Sequence, residues 1–480
     1  MLKLTGHPLF DVGAATIAAF SGKTDLSSVT EQDLDNIATF MERQYVLDPL
    51  KSFLTVVFPN SGFTQPAFEK QPEKRIEYAK KVLWAHKSSV SNLKEKCVFT
   101  RNFAVAIAFS DKLSLGRTAR QHIPLTTGEG VINFHPYGQA GLPVSGIALL
   151  CIQAFPLGCA KCAGKLLAVH SDNEDILIYF AKEFLTKNRE NLAFAQATGS
   201  SKLREFDYAQ KTLLIHTLHK VIKEIRNNLE NNGLFSLTAY HMSNSGQNPS
   251  LDIYNLPLEI TSFISRIQNP DYKDDWQIIV NKAWRIQDQT KKAGSVKINY
   301  LYEDIFKLPD SAEEFIRLYF LRVALKWAKK DDPRGNYSSV QEAEIVSWKI
   351  TSLFLREVMN LNKDRIENIR TVADKLASYV FENNDRKFFR NFFTEQKYEY
   401  FRAILLKANF YTVKQGKEPL INFEPYLDIF EEGEELAYKD WRLARDLLLI
   451  RMIEQLHYKG WFAKNLDVLT EIEEDKEATN

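Results

Sequence analysis

Long apolar runs, a second CxxC pair and an excess of charge of either sign are all missing from this 480-residue chain. No window approaches the roughly 18 consecutive apolar residues that a membrane-spanning helix requires. The opening MLKLTGHPLF lacks the apolar core of a secretory signal, so the expected location is cytoplasmic. Only four cysteines occur, two of them in a single CxxC pair, which excludes the disulfide framework of a small secreted protein. Also absent are a GxSxG elbow, an HExxH pair, a P-loop lysine motif and the histidine–aspartate pair of a phosphohydrolase, so nothing positive points to an enzyme. No fixed-period repeat or low-complexity tract appears. What is present, 45% hydrophobic and 26% charged residues, belongs to a globular chain able to fill more than one core.

The pattern changes along the chain. Most glycines precede Gln247, and there short β-branched runs alternate with helical stretches. Candidate strands are Cys97 to Thr100, Val105 to Phe109, Val131 to Phe134, Lys165 to His170, Leu234 to His241 and Leu251 to Tyr254. Candidate helices are Glu73 to Lys87, Asn173 to Phe194 and Tyr208 to Leu229. After about Lys297 apolar residues recur at helical spacing in Ala312 to Trp327, Val340 to Met359, Ile366 to Phe381, Phe388 to Leu406 and Trp441 to Leu456. The expected fold is an α+β N-terminal region, a mixed sheet with covering helices over residues 1–300, followed by an all-α C-terminal helical bundle over 301–480. The border is placed between Lys291 and Pro309.

The formal charge of +1, from 62 Lys+Arg and 61 Asp+Glu, is a cancellation. Lys70 to His122 holds 12 bases and four acids, a local +8, and Asp385 to Lys414 holds seven bases and three acids. Gly416 to Lys439 offsets them with seven acids and two bases. Phosphates are neutralised by local patches rather than by net charge, although a solvated helix face accounts for Lys70 to Lys96 equally well.

Cys159 and Cys162, set in a glycine-rich turn before a strand, form half of a zinc knuckle. No second CxxC completes it, and Cys97, Cys151, His135 and His170 lie at no standard ligand spacing. His216 and His219 sit on an otherwise apolar helix and are assigned to packing or surface. The informative stretch is Arg101 to Gly146. Lys112, Arg117 and Arg120 are suited to phosphates; Asn102, Gln121 and Asn133 offer both donor and acceptor for base edges; Arg101 is a further candidate nucleic-acid contact; His122, His135 and Tyr137 are suited to stacking. An ordinary polar loop is the alternative. In the bundle, Arg386, Lys387 and Arg390 lie within about one turn and alternate with Phe388, Phe389, Phe392 and Phe393. Some of these rings must be core, and for the one or two that could stack on bases packing is the favoured reading.

The residues Thr5-Gly6-His7-Pro8-Leu9-Phe10-Asp11-Val12-Gly13 open this sequence. Further along come Val131 to Gly138, Pro143-Val-Ser-Gly146, Ala154 to Cys162 and Gly164 to Asp172. Together, over roughly the first 175 positions, they resemble the large subunit of type I-B CRISPR effector (Cascade) complexes, in the branch named for two CxxC pairs. The resemblance implies a non-catalytic subunit of an RNA-guided DNA surveillance complex. Such a subunit recognises the protospacer-adjacent motif (PAM) in duplex DNA, contacts the 5′ end of the guide RNA, helps unwind the target and docks a helicase-nuclease. The implied partners are CRISPR RNA, target double-stranded DNA with its displaced strand, the backbone and small subunits, and the helicase-nuclease, with no membrane. Sequence reading beyond the short motif then falls to guide pairing. The missing second CxxC departs from the branch, so zinc at Cys159 and Cys162 is not carried over and no cofactor is expected.

Of the five methionines, Met1, Met41, Met242, Met359 and Met452, only Met359 would release a compact helical piece, residues 359–480 (480 − 359 + 1 = 122). Such a piece matches the small helical subunits that type I-B systems make by internal initiation. Two other classes stand beside this expectation: a zinc- or thiol-dependent enzyme centred on the CxxC pair, and a structural helical scaffold.

Overall fold

The opening motif builds a helix that is buried around its whole circumference. The computed structural model describes residues 2–132, 138–232 (backbone alone at 226–232), 234–245, 248–286, 296–430 and 441–465. In it α1 spans Pro8–Phe20, with proline in the first turn, where its missing N–H costs nothing, and His7 Nδ1 accepting the Leu9 N–H at 3.3 Å. Every residue from Phe10 to Ala18 is buried. α2 (Glu31–Gln44), α4 (Gly146–Ala154) and α5 (Glu174–Thr198) pack against it, while α3 (Pro72–Leu83) packs on α2 and α4, and α6 (Gln210–Asn232) on α5. Small residues allow the close crossings this requires. A Cβ on Gly13 would lie 1.9 Å from the Cys151 carbonyl oxygen in α4, one on Gly146 2.2 Å from the Ala85 carbonyl oxygen, and one on Gly158 1.9 Å from Thr16 Oγ1 in α1.

The strands are β1 (Ser91–Lys96), β2 (Phe103–Val105), β3 (Arg117–Thr118), β4 (Leu142–Pro143), β5 (Ala160–Cys162), β6 (Lys165–Ser171), β7 (Leu237–Ser243) and β8 (Ser250–Leu256). β1 pairs with β2, β3 with β4, and β5-β6-β7-β8 form one sheet in that order. All these pairings are antiparallel, which corrects the expected mixed sheet. A single crossover helix would have made β6 and β7 parallel. Here the chain runs through two helices, α5 and α6, and comes back to the end of β6 that it left, pairing Ser171 with Leu237. Cys97 to Thr100 is a turn rather than a strand, and of Val105 to Phe109 only Val105 belongs to β2. Ile132 makes an isolated bridge to Ala140; residues 133–134 lie outside the described residues.

The chain divides into two compact units, Met1–Thr261 and Ser262–Asn480. The division falls inside α7 (Leu258–Ile267), earlier than the composition change places it. In the second unit Phe263 packs edge-on against Trp276 of α8 (Pro270–Asn281) and Phe354 of α9 (Trp348–Glu357), with centroids 5.5 and 5.4 Å apart, so these helices share one core. The other long elements are α10 (Lys363–Asn383), α11 (Arg386–Thr394), α12 (Tyr398–Lys414), α13 (Phe423–Phe430) and α14 (Trp441–Tyr458). The C-terminal half is thus helical, as expected. Arg451 of α14 pairs with Asp374 of α10 at 2.7 Å, and Glu454 accepts the Trp348 N–H at 2.9 Å. Asn384, in the left-handed region, ends α10, and Asp385 caps α11.

Three expected helices are shorter than their spacing predicts, and Val340 to Met359 becomes helical only at Trp348. Phe388 to Leu406 is interrupted between α11 and α12. Ala312 to Trp327 ends after a π-turn at Ile316–Phe320, where Arg322 adopts φ +60°, its buried guanidinium on Glu342 at 2.8 and 3.0 Å and over the Tyr337 ring. Among the described residues no helix is long and apolar enough to cross a membrane.

The α1–α4 crossing yields a clean prediction. Gly13→Ala should cost about 3 kcal/mol in urea unfolding, because a backbone carbonyl must move. Gly128→Ala, whose new Cβ meets nothing within 4 Å, should shift stability by less than about 0.5 kcal/mol.

Candidate nucleic-acid interface

Between β1 and β2 the chain makes a tight turn. The Cys97 N–H donates to the Asn102 carbonyl at 2.7 Å and the Arg101 N–H to the Cys97 carbonyl at 3.0 Å. Cys97 and Phe99 point into the core, while Lys96, Arg101 and Asn102 are exposed. Arg101 adopts φ +59°, a conformation costing a residue with a Cβ about 1 kcal/mol that glycine would avoid. Neither Lys96 nor Arg101 has an ion-pair partner among the described residues. Both flank a cavity of about 810 Å³ within the first unit, in the size range of ordinary ligand sites, about 300–1,000 Å³. Leu9, Phe99, Ile123, Phe155 and Met242 supply its apolar walls. His7 also lines it, edge-on to Phe99 with centroids 4.7 Å apart. Its Nδ1 is occupied by the Leu9 N–H, so the neutral ring carries its proton on Nε2. The site therefore joins apolar walls, two cations and a neutral donor.

The other arginines of the Arg101 to Gly146 stretch serve the fold, which corrects their assignment to phosphates. Arg117 is fully buried. Its Nε donates to both Glu95 carboxylate oxygens at 3.1 and 3.0 Å, and its Nη1 to the carbonyls of Gln139, Ala140 and Gly141 at 3.4, 3.2 and 3.0 Å. No face of the guanidinium is left for DNA. Arg120 is half-buried, with Nε on Asn244 Oδ1 at 2.9 Å and Nη2 on the Asn244 carbonyl at 3.0 Å. Asn244 is itself buried, and its Oδ1 also accepts the Leu125 N–H, so Arg120 ties the loop to the end of β7. Gln121 donates to Glu129. His122 cannot stack on a base: it is buried between Tyr78 and Phe109, and burial pushes its pKa down to about 3. Lys112 is exposed. Asn133, His135 and Tyr137 lie outside the described residues.

The CxxC pair forms a hairpin rather than an open site. Cys159 and Cys162 are buried, and the chain reverses through Ala163 and Gly164, both at positive φ, before entering β6. The Cys159 thiol donates to the Phe155 carbonyl at 3.0 Å. Burial pushes both thiols up, Cys159 well above its ordinary value and Cys162 to about 12. A free cysteine nucleophile is needed as thiolate, and here the proton is held. Among the described residues no group of three His, Cys, Asp or Glu side chains is placed to hold a metal.

In α11 all four phenylalanines, 388, 389, 392 and 393, are buried, which agrees with the favoured packing reading and leaves none to stack on bases. Phe389 packs on Trp461 and Phe462, and Phe392 on Phe401. Lys387 is exposed, and Arg386 and Arg390 are half-buried. Sequence reasoning missed Lys96 and His7 as cavity-lining groups. The former stood in a run readable as a solvated helix, and the latter carries no signal beyond its place in the opening motif.

The two kinds of arginine separate experimentally. Arg117→Ala strands Glu95 and three carbonyls and should destabilise the chain by on the order of 3 kcal/mol. Arg101→Gly should leave the thermal midpoint unchanged or raise it, because glycine accepts φ +59°. Equal losses of stability in the two variants would refute this assignment. Comparison of the chain with protein-family models, with curated proteins and with solved structures finds no match.

Proposed function

We propose that this chain is the non-catalytic large subunit of a type I-B CRISPR RNA-guided DNA surveillance complex, acting in the cytoplasm. The observation that carries the proposal is the cavity rim of the first unit. Lys96 and Arg101 are held outward there by a strained turn and have no ion-pair partner among the described residues, although arginines nearby in sequence are consumed by the fold. Cations kept clear of carboxylates suit a polyanion.

The resembling residues add support of a different kind. Asp11, Gly13, Gly146 and Gly158 each have a packing or hydrogen-bonding task in the first unit, so the shared pattern corresponds to its core. In this proposal the chain recognises the PAM, contacts the guide 5′ end, helps open the duplex, and meets backbone subunits, small subunits and a helicase-nuclease. It performs no bond chemistry and needs no cofactor. An enzyme using either cysteine as a free nucleophile is disfavoured, because both thiols are buried and hold their protons.

The proposal extends to a separate small subunit. Met359 lies between α9 and α10, so residues 359–480 would keep α10 to α14 whole. Replacing Met359 with leucine should abolish the shorter product, and its persistence at the same mass would remove this part.

The rim is tested by salt dependence. Lys96→Ala with Arg101→Ala should weaken duplex binding and flatten the slope of log K against log salt by about 1.8, about 0.9 per lost phosphate contact. An unchanged slope would place these cations away from nucleic acid.

A further inference from the structure

Trp327 stands almost wholly in solvent, 91% exposed, whereas the other described tryptophans are buried or half-buried. Indole is the largest side chain a protein can leave in water, and isolated exposure at this level is unusual. The segment that carries it is firmly built. The Ala328 N–H donates to the Leu325 carbonyl at 3.2 Å, closing a turn with Lys326 and Trp327 at its corners. The Leu325 N–H donates to the Arg334 carbonyl at 2.9 Å, and the Asp332 N–H to the Lys329 carbonyl at 2.8 Å, so a second turn follows the first. A Cβ on Gly335 would lie 2.7 Å from Ala328 Cβ, so glycine allows the returning 3-10 turn at Pro333–Asn336 to close against the tip. Trp327 is thus presented by a braced turn.

The charges are sorted as well. Asp331 is taken by Arg285, whose Nε approaches at 2.7 Å, and Asp332 by the Arg334 Nε at 3.0 Å. Arg334 also reaches Asp304 at 2.6 Å and lies over the Tyr300 ring. The acids of the segment are thereby neutralised by arginines at its base. Lys326, Lys329 and Lys330 remain exposed around the indole, and Lys329 and Lys330 have no ion-pair partner among the described residues.

We propose that Trp327 is a stacking platform for an unpaired base of a single-stranded nucleic acid, with the flanking lysines on its phosphates. This rests on the nucleic-acid reading above and assigns a second, separate element to it. The chemistry selects the occupant. Base faces stack on aromatic rings regardless of sequence, and a strand brings its own negative charge. A protein pocket for the indole would have to bury Lys329 and Lys330, which have no counter-charge among the described residues. A closed duplex offers no free base face unless its stack is opened.

The test uses the full chain and a single-stranded thymidine oligonucleotide. Because Trp327 is the exposed indole, stacking should quench tryptophan fluorescence in proportion to binding. Trp327→Phe should abolish the quench while keeping most of the affinity measured by anisotropy of a labelled strand. Trp327→Ala should weaken single-strand binding about tenfold and leave duplex binding unchanged. Both substitutions are at an exposed position and leave folding intact. An Ala variant that binds the single strand like wild type overturns the proposal, as does a fluorescence change seen only with anionic lipid vesicles. Duplex binding with a silent indole removes this inference alone, whereas failure to bind either nucleic acid removes the broader reading with it.

Discussion

The first unit depends on a carboxylate buried where water cannot reach it. Asp11 is fully buried in α1 and accepts the Thr5 N–H at 2.7 Å, the Thr5 hydroxyl at 2.9 Å, the Gly6 N–H at 2.8 Å and His170 Nε2 at 3.0 Å. Burial alone would raise its pKa, but the bonds from His170 and Thr5 outweigh burial and hold it below the ordinary carboxylate value. A depressed folded-state pKa stabilises the protein above the unfolded value and loses that contribution as pH falls through the folded one. The same atoms fasten the chain entry, α1 and the inner strand β6 to one another. With α1 fixed, Gly13 sets its approach to α4, while His7 and Leu9 at its start become part of the cavity. The candidate site is therefore a consequence of how the core closes.

Positive charge is divided between two duties. Arg117, Arg120, Arg322, Arg334 and Arg451 are spent inside the protein on carboxylates and carbonyls, a use for which the planar five-donor guanidinium is suited. Lys96, Arg101, Lys329 and Lys330 are left outward without ion-pair partners among the described residues. The near-zero total charge conceals this division, and a recogniser of nucleic acid that works beside other subunits needs only such local cations.

Helices were legible where apolar spacing is uninterrupted, as in α5, α6 and α10, and the C-terminal helical character followed. What was not legible depended on distant partners. Nothing in the local sequence separates Arg117 from Arg101, because the first is decided by Glu95 and by carbonyls 22 to 24 residues away, and the second by a turn. The periodicity of Ala312 to Trp327 hides a helix end imposed by Glu342, twenty residues beyond Arg322. The four phenylalanines of α11 carry the same ambiguity. Only the neighbouring helices decide that all four are core. Trp327 looked like the last apolar position of a helix and is instead the tip of a turn. The sheet followed β-branched runs well at β6 and β8, but its antiparallel order comes from a two-helix return that no single segment encodes.

The central claim is that the chain holds a guide-bearing nucleic acid in the cell. Isolating the full chain with its native partners under non-denaturing conditions and sequencing the RNA that accompanies it tests this most directly. The account predicts short, uniform RNAs in which one repeat-derived segment adjoins variable spacer sequences. Recovery of the intact chain and its partners with no RNA, or with RNA of random sequence, would contradict it.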